Sequence, residues 1–140
     1  MKDSIRIEHD VADDISLAGV ASSDIKDRLK MLGFPAESVR RAAISLYEAE
    51  INLVIHAYGG RIITEITSDE IKMTVTDKGP GIEDIELAMS EGFSTATEEV
   101  RNLGFGAGMG LPNMKKYTDL FEIESTVGIG TTIVMTVKTH

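Results

Sequence analysis

At 140 residues, with 42% hydrophobic and 26% charged side chains, the chain has the make-up of one ordinary globular domain over residues 1–140, and no apolar run approaches the ~20 residues that cross a bilayer. A formal net charge of -9 opposes nucleic-acid phosphates and anionic lipid headgroups, so neither nucleic acid nor membrane is an expected partner. The absence of cysteine removes disulfides and thiolate metal sites, which agrees with a cytoplasmic location.

The residues Ser4–Glu8 alternate polar and apolar as a half-buried strand does, and Lys2, Asp3, Arg6 and Glu8 interrupt any apolar stretch of the kind a secretion signal needs. From Asp14 to Leu32 apolar residues return at helical spacing until Gly33-Phe34-Pro35 stops them. A second helix, the clearest of all, is expected over Ala36–Tyr58, ending at Gly59-Gly60. Ile62–Thr67 and Ile71–Thr76 read as a hairpin turning at Ser68-Asp69-Glu70. A short helix over Ile82–Met89 precedes a Gly-, Ser- and Thr-rich loop from Gly92 to Gly110. Leu111–Thr118 forms a helix with Pro112 in its first turn, and strands Leu120–Ser125 and Thr131–Val137 close the chain around Gly128-Ile129-Gly130.

Three strings on these elements carry chemistry. Glu48, Asn52 and His56 are spaced i, i+4, i+8, so they stack along one face of an otherwise apolar helix. Around Asn52 the sequence is nearly continuous apolar, and an unpaired buried amide there would cost about 1–3 kcal/mol. Solvent exposure is the plain reading of such a stripe; a hard cation and a phosphate would satisfy both Asn52 and Glu48. The second string, Asp77-Lys78-Gly79-Pro80-Gly81, puts a carboxylate at a strand end, where it can accept from an exocyclic amine such as adenine N6, while Gly79 and Gly81 leave room for a ring; a plain turn satisfies the same pattern. The third string places Gly104, Gly106, Gly108 and Gly110 at every second position before Leu111-Pro112. Such glycines expose backbone N–H groups that can cradle an anion beside a helix N-terminus; a flexible hinge with no ligand satisfies the same pattern. An acidic protein needs that local help to hold ATP. The loop is neither a Rossmann fingerprint nor a Walker loop, because it comes late in the chain and no Gly-Lys-Ser/Thr follows.

In this order and spacing the three strings resemble the N, G1 and G2 boxes of the GHKL ATPase superfamily, which includes gyrase and histidine kinases. Gly130-Thr131-Thr132 looks like that family's Gly-Thr step beside the adenine. The resemblance implies an α+β fold, the Bergerat ATP-binding fold: a two-layer sandwich of a mixed, largely antiparallel sheet with helices on one face. The length leaves no room for a gyrase-type transducer or a phosphoacceptor helix pair, and Glu48–Gly60 looks like the N box of stand-alone bacterial anti-sigma factors and partner-switching serine kinases. Gly106–Lys116 is most similar to the stressosome-type switch kinases.

Carried over residue by residue, the resemblance implies ATP or ADP as the bound nucleotide and Mg²⁺ held by Asn52. Asp77 receives the adenine amine with Thr131 in support, and Gly79, Gly81, Gly104, Gly106, Gly108, Met109, Gly110 and Leu111 line the nucleotide. Glu48 is implied as the general base for an attacking serine or threonine hydroxyl. His56 is placed either to touch phosphate or to cap the pocket. Arg101 either reaches the γ-phosphate from a lid over residues 92–103 or stays solvated, and the acidic Glu98 and Glu99 beside it depart from the family pattern. Lys115 and Lys116 either contact phosphate or lie on the surface.

The implied function is an ATP-dependent protein serine/threonine kinase that phosphorylates a small anti-anti-sigma-like, STAS-type antagonist. The alternative is an ATP/ADP-binding anti-sigma factor that sequesters a sigma factor or other regulator with little or no kinase activity. A detached histidine-kinase domain is a third, weakened by the length. The family resemblance also allows a homodimer through the N-terminal strand and helix.

Overall fold

The alternating strands and the apolar helix faces assemble as one sheet and one helical layer. The computed structural model describes residues 4–89 and 110–139. In chain order these contain β1 (Ile5–Val11), α1 (Val20–Met31), α2 (Ala36–His56), β2 (Gly60–Ile66), β3 (Glu70–Thr76), the short α3 (Ile85–Ala88), α4 (Gly110–Lys116), β4 (Leu120–Thr126) and β5 (Gly130–Lys138). The strands form one sheet in the order β1-β2-β3-β5-β4. Every pairing among them is antiparallel, so the expected α+β class holds while the described sheet has no parallel pair to make it mixed.

Register decides which side chains face the core. Ile62, Val75, Ile133 and Ile123 form one cross-strand row, and Thr64, Met73, Met135 and Phe121 form the next but one along the strands. Because side chains alternate with period two, both rows point to the same face. Against it pack Ile25 and Leu29 of α1, Leu46, Ala49 and Leu53 of α2, and Leu111 and Met114 of α4, all in one buried cluster. Met114 is therefore core filler.

Expected and observed boundaries differ where a local bond overrides periodicity. The first helix does not start at Asp14. The Asp14 side chain accepts from Ser16 N–H and closes a single 3₁₀ turn over Ile15–Leu17, Ala18 is extended, and Gly19 at φ 98° re-enters at Val20. Only glycine adopts that conformation readily. The third helix shrinks to Ile85–Ala88, capped by Asp84 on Leu87 N–H, because the Ile82 N–H bonds Ser125 Oγ instead. At the end of α2, Tyr58 takes a left-handed φ of 60° and Gly59 follows at 99°, and a Cβ on Gly59 would lie 2.5 Å from the Val11 carbonyl. The turn from α2 into β2 can lie against the end of β1 only without that side chain.

A buried carboxylate joins the two long helices. Glu50, 1% exposed, accepts from Ala21 N–H at 3.0 Å and Ser22 N–H at 2.9 Å. These are N–H groups of the first turn of α1, which have no partner within the helix, so Glu50 caps α1 from the middle of α2.

Candidate functional site

The polar line on α2 is real and lies at its edge rather than in its core. Glu48, Asn52 and His56 are half-buried, while Ala49, Leu53 and Leu46 of the same helix are buried against the sheet. Burial pushes the Glu48 carboxyl above the ordinary carboxylate range, an effect opposed by the Asn113 amide, whose Nδ2 donates to Glu48 Oε1 at a long 3.5 Å. Burial also pushes the His56 imidazole below its usual value. A carboxylate with raised affinity for protons, held on rigid helix, suits proton acceptance.

Asn52 and Gly110 meet across the α2–α4 junction. A Cβ on Gly110 would stand 3.1 Å from Asn52 Oδ1, tighter than ordinary packing. Glycine at the first residue of α4 thus lets the end of the glycine-rich string approach Asn52 closely. Leu111 turns inward and is buried. Arg101, Gly104, Gly106, Gly108 and Met109, with the expected lid over residues 92–103, lie outside the described residues.

The carboxylate turn is held by the hairpin of β4 and β5. Asp77 Oδ1 accepts from Gly79 N–H at 2.9 Å and from Thr131 N–H at 3.2 Å, while Asp77 N–H donates to the Thr131 carbonyl at 3.0 Å. Ser125 Oγ accepts from Ile82 N–H at 2.8 Å and is paired with Thr131 Oγ1 at 2.7 Å. Gly128 N–H donates to the Pro80 carbonyl at 2.9 Å. The glycines are dictated by contact: a Cβ on Gly79 would come 2.8 Å from Ala57 Cα, and Gly81, at φ 77°, would place one 2.5 Å from the Thr126 carbonyl. Both therefore serve packing of the turn against α2 and the hairpin, whatever else they line.

The structure thus brings Glu48, Asn52 and Gly110 together at one junction and Asp77, Gly79, Gly81 and Thr131 together at another, with the C-terminal end of α2 touching the second through Ala57 and Gly79. Lys115 and Lys116 are exposed, and Lys116 Nζ lies 5.5 Å from the Tyr117 ring centroid, which assigns it to the surface. Ser125, Asn113 and Glu50 were not singled out by sequence. Glu50 had a signal in the core spacing Leu46, Ala49, Glu50, Leu53, and Ser125 continues the inward alternation Phe121, Ile123; Asn113 had none. Among the described residues no helix is long and apolar enough to cross a membrane, and no cluster of three or more His, Cys, Asp or Glu could hold a metal.

Known proteins share this architecture. Residues 39–140 match the family described as histidine kinase-, DNA gyrase B-, and HSP90-like ATPase. The chain is 41% identical over 105 residues to an anti-sigma F factor of Caldanaerobacter subterraneus, covering 71% of the chain and 70% of that protein. It is 35% identical over 108 residues to the serine/threonine-protein kinase RsbT of Bacillus subtilis, covering 74% and 75%. The crystal structure of the RsbU and RsbW domains of Rv1364c from Mycobacterium tuberculosis superposes with a TM-score of 0.66 at 14% identity over 95% of this chain. This chain spans 32% of that longer one, and the likeness is one of fold.

Proposed function

The chain belongs to the histidine kinase-, DNA gyrase B- and HSP90-like ATPase family, in the branch that holds anti-sigma F factors and RsbT, and on that premise we propose that it is an ATP-dependent protein serine/threonine kinase. Its substrate in this reading is a small anti-anti-sigma-like, STAS-type antagonist, and phosphorylation changes which partner that antagonist binds, in the cytoplasm.

One observation supports the kinase over a passive binder: Glu48, a half-buried carboxylate of raised proton affinity, stands one helical turn from Asn52. In the proposed reaction the acceptor hydroxyl gives its proton to Glu48 as its oxygen bonds the γ-phosphorus of ATP, and ADP departs. Asp77 Oδ1 is bonded to Gly79 and Thr131, which supports its carboxylate as the proposed acceptor for the adenine amine. Mg²⁺ takes most of its ligands from phosphate and water, so a single neutral side-chain oxygen such as Asn52 Oδ1, kept accessible by the bare Gly110, is a fitting protein donor. When bound, the ion neutralises charge developing on the transferred phosphoryl group. The glycine-rich string and Arg101 remain proposed phosphate contacts.

The same relatives favour a second reading, since 41% identity is to an anti-sigma F factor. In it the chain sequesters a sigma factor with nucleotide bound and transfers phosphate slowly or not at all. Incubation of the protein and a STAS-type antagonist with Mg-ATP separates the two. The kinase reading expects the antagonist to gain one phosphoryl group on serine or threonine by intact mass; an unchanged mass with nucleotide bound supports sequestration.

A further inference from the structure

Beyond the nucleotide site, the solvent side of the α1–α2 seam carries a groove of about 460 Å³. Gly19, just before α1, and Ser23 and Lys26 of α1 line one side, and Ala43, Tyr47 and Glu48 of α2 the other. Its depth comes from small residues. Gly19 is fixed by its φ of 98° and by Tyr47, whose ring carbon would lie 3.2 Å from any Cβ added there. The pull of Glu50 on the first turn of α1 holds the two walls in register.

Glu48 is where this groove ends and the nucleotide site begins. Its carboxyl is met by Asn113, on the helix that opens with Gly110, and Glu48 also lines the groove. A base that deprotonates an incoming hydroxyl must lie within hydrogen-bond reach of it, so the acceptor has to arrive by a path that Glu48 lines. The groove is more open to solvent than an enclosed cavity, unlike pockets that bury 70–90% of a small ligand, and its volume lies within the usual range of about 300–1,000 Å³. An open trough of this size suits a stretch of polypeptide. Charge narrows the stretch further. In a chain of net charge -9, Lys26 is, among the described residues, the one cation lining the groove; it is exposed and among them forms no ion pair.

We infer that the α1–α2 groove seats the acceptor segment of the protein substrate, with the serine or threonine hydroxyl at Glu48 and an acidic residue of the segment at Lys26. This rests on the kinase reading above. The step it serves is balanced: the hydroxyl oxygen bonds the γ-phosphorus of ATP, the bond from that phosphorus to the bridging oxygen breaks, ADP leaves with the electron pair, and the proton passes to Glu48. Lys26 selects the segment and touches no reacting atom.

The test uses the full chain, Mg-ATP and a positional-scanning library of serine peptides, with the thermal shift on ADP binding measured for every variant. Wild type is expected to favour Asp or Glu at one fixed position near the acceptor. Lys26→Glu should turn that preference toward Lys or Arg by about fivefold, the range of an exposed ion pair. Ala43→Trp, which fills the trough, should lower peptide turnover about 10²-fold through displacement of the acceptor. Both variants should keep the ADP shift. An unchanged preference in Lys26→Glu, no acidic preference in wild type, or full turnover by folded Ala43→Trp overturns the groove while leaving the kinase intact. No transfer to any peptide by wild type overturns the groove as a seat for a polypeptide segment, and the intact mass of a STAS-type antagonist incubated with the same protein and Mg-ATP decides the kinase reading separately.

Discussion

Asp77 and Thr131 are bonded twice across the turn and the hairpin, the Asp77 N–H donating to the Thr131 carbonyl at 3.0 Å and the Thr131 N–H to Asp77 Oδ1 at 3.2 Å. That pair aims the carboxylate from two sides, so its role is orientation as much as charge. Asp77→Asn should weaken ADP binding by about 1.5–3 kcal/mol, the loss of a hydrogen bond to a charged group. The check is the thermal shift at fixed ADP concentration; an undiminished shift sinks the adenine assignment.

Glu50 and Glu48 lie two residues apart on α2 and do opposite work. Glu50 accepts from two N–H groups of α1 in the core, and Glu48 stands at the edge with one long contact to Asn113. Glu50→Ala should destabilise the fold by about 2–3 kcal/mol through two orphaned donors, read as a lower urea midpoint. Glu48→Ala should move that midpoint far less.

Gly110→Ala adds a methyl 3.1 Å from Asn52 Oδ1 while favouring the helix by about 1 kcal/mol. Affinity for Mg-ATP should therefore fall with no loss of thermal stability. A variant that binds Mg-ATP as the wild type does would separate Gly110 and Asn52 from the metal and phosphates.

Burial raises the proton affinity of Glu48, with Asn113 opposing, and lowers that of His56. The proposed base must be ionised, so phosphotransfer should rise with pH through a value above that of an ordinary glutamate, and Asn113→Leu should move the midpoint higher. The stability signs are opposite for the two groups. Between its ordinary and raised values folded Glu48 holds a proton that the unfolded chain has lost, so its contribution falls as pH rises. His56 behaves in reverse: the unfolded chain binds the extra proton, so stability is lost as pH drops through the ordinary histidine range toward the lowered one. A pH profile of transfer that matches an unperturbed carboxylate contradicts the environment assigned to Glu48.

The sheet was legible because its strands alternate cleanly, with Ile71, Met73 and Val75 buried and Lys72 exposed. Helix α2 was legible because strong helix formers run from Ala36 to Tyr58 with no interior Gly or Pro. Periodicity failed where one side chain outvoted it: Asp14 caps a 3₁₀ turn inside the expected first helix, and Ser125 draws Ile82 out of the third. The parts of the site on single elements, such as Glu48 with Asn52, follow from spacing alone. Its cross-chain parts do not. Asn113 reaches Glu48 over 65 residues of separation and Ser125 reaches Ile82 over 43, and no local pattern encodes such contacts. The backbone room at Gly79 and Gly81 is legible from sequence, but the neighbours that require it, Ala57 and Thr126, are not.

The most direct measurement is the single-turnover rate of phosphoryl transfer from Mg-ATP to the antagonist, compared between wild type and Glu48→Ala, with ADP affinity determined on the same preparations. A base at Glu48 predicts a rate lower by about 10²-fold or more with ADP affinity unchanged. Transfer by Glu48→Ala at the wild-type rate would contradict it.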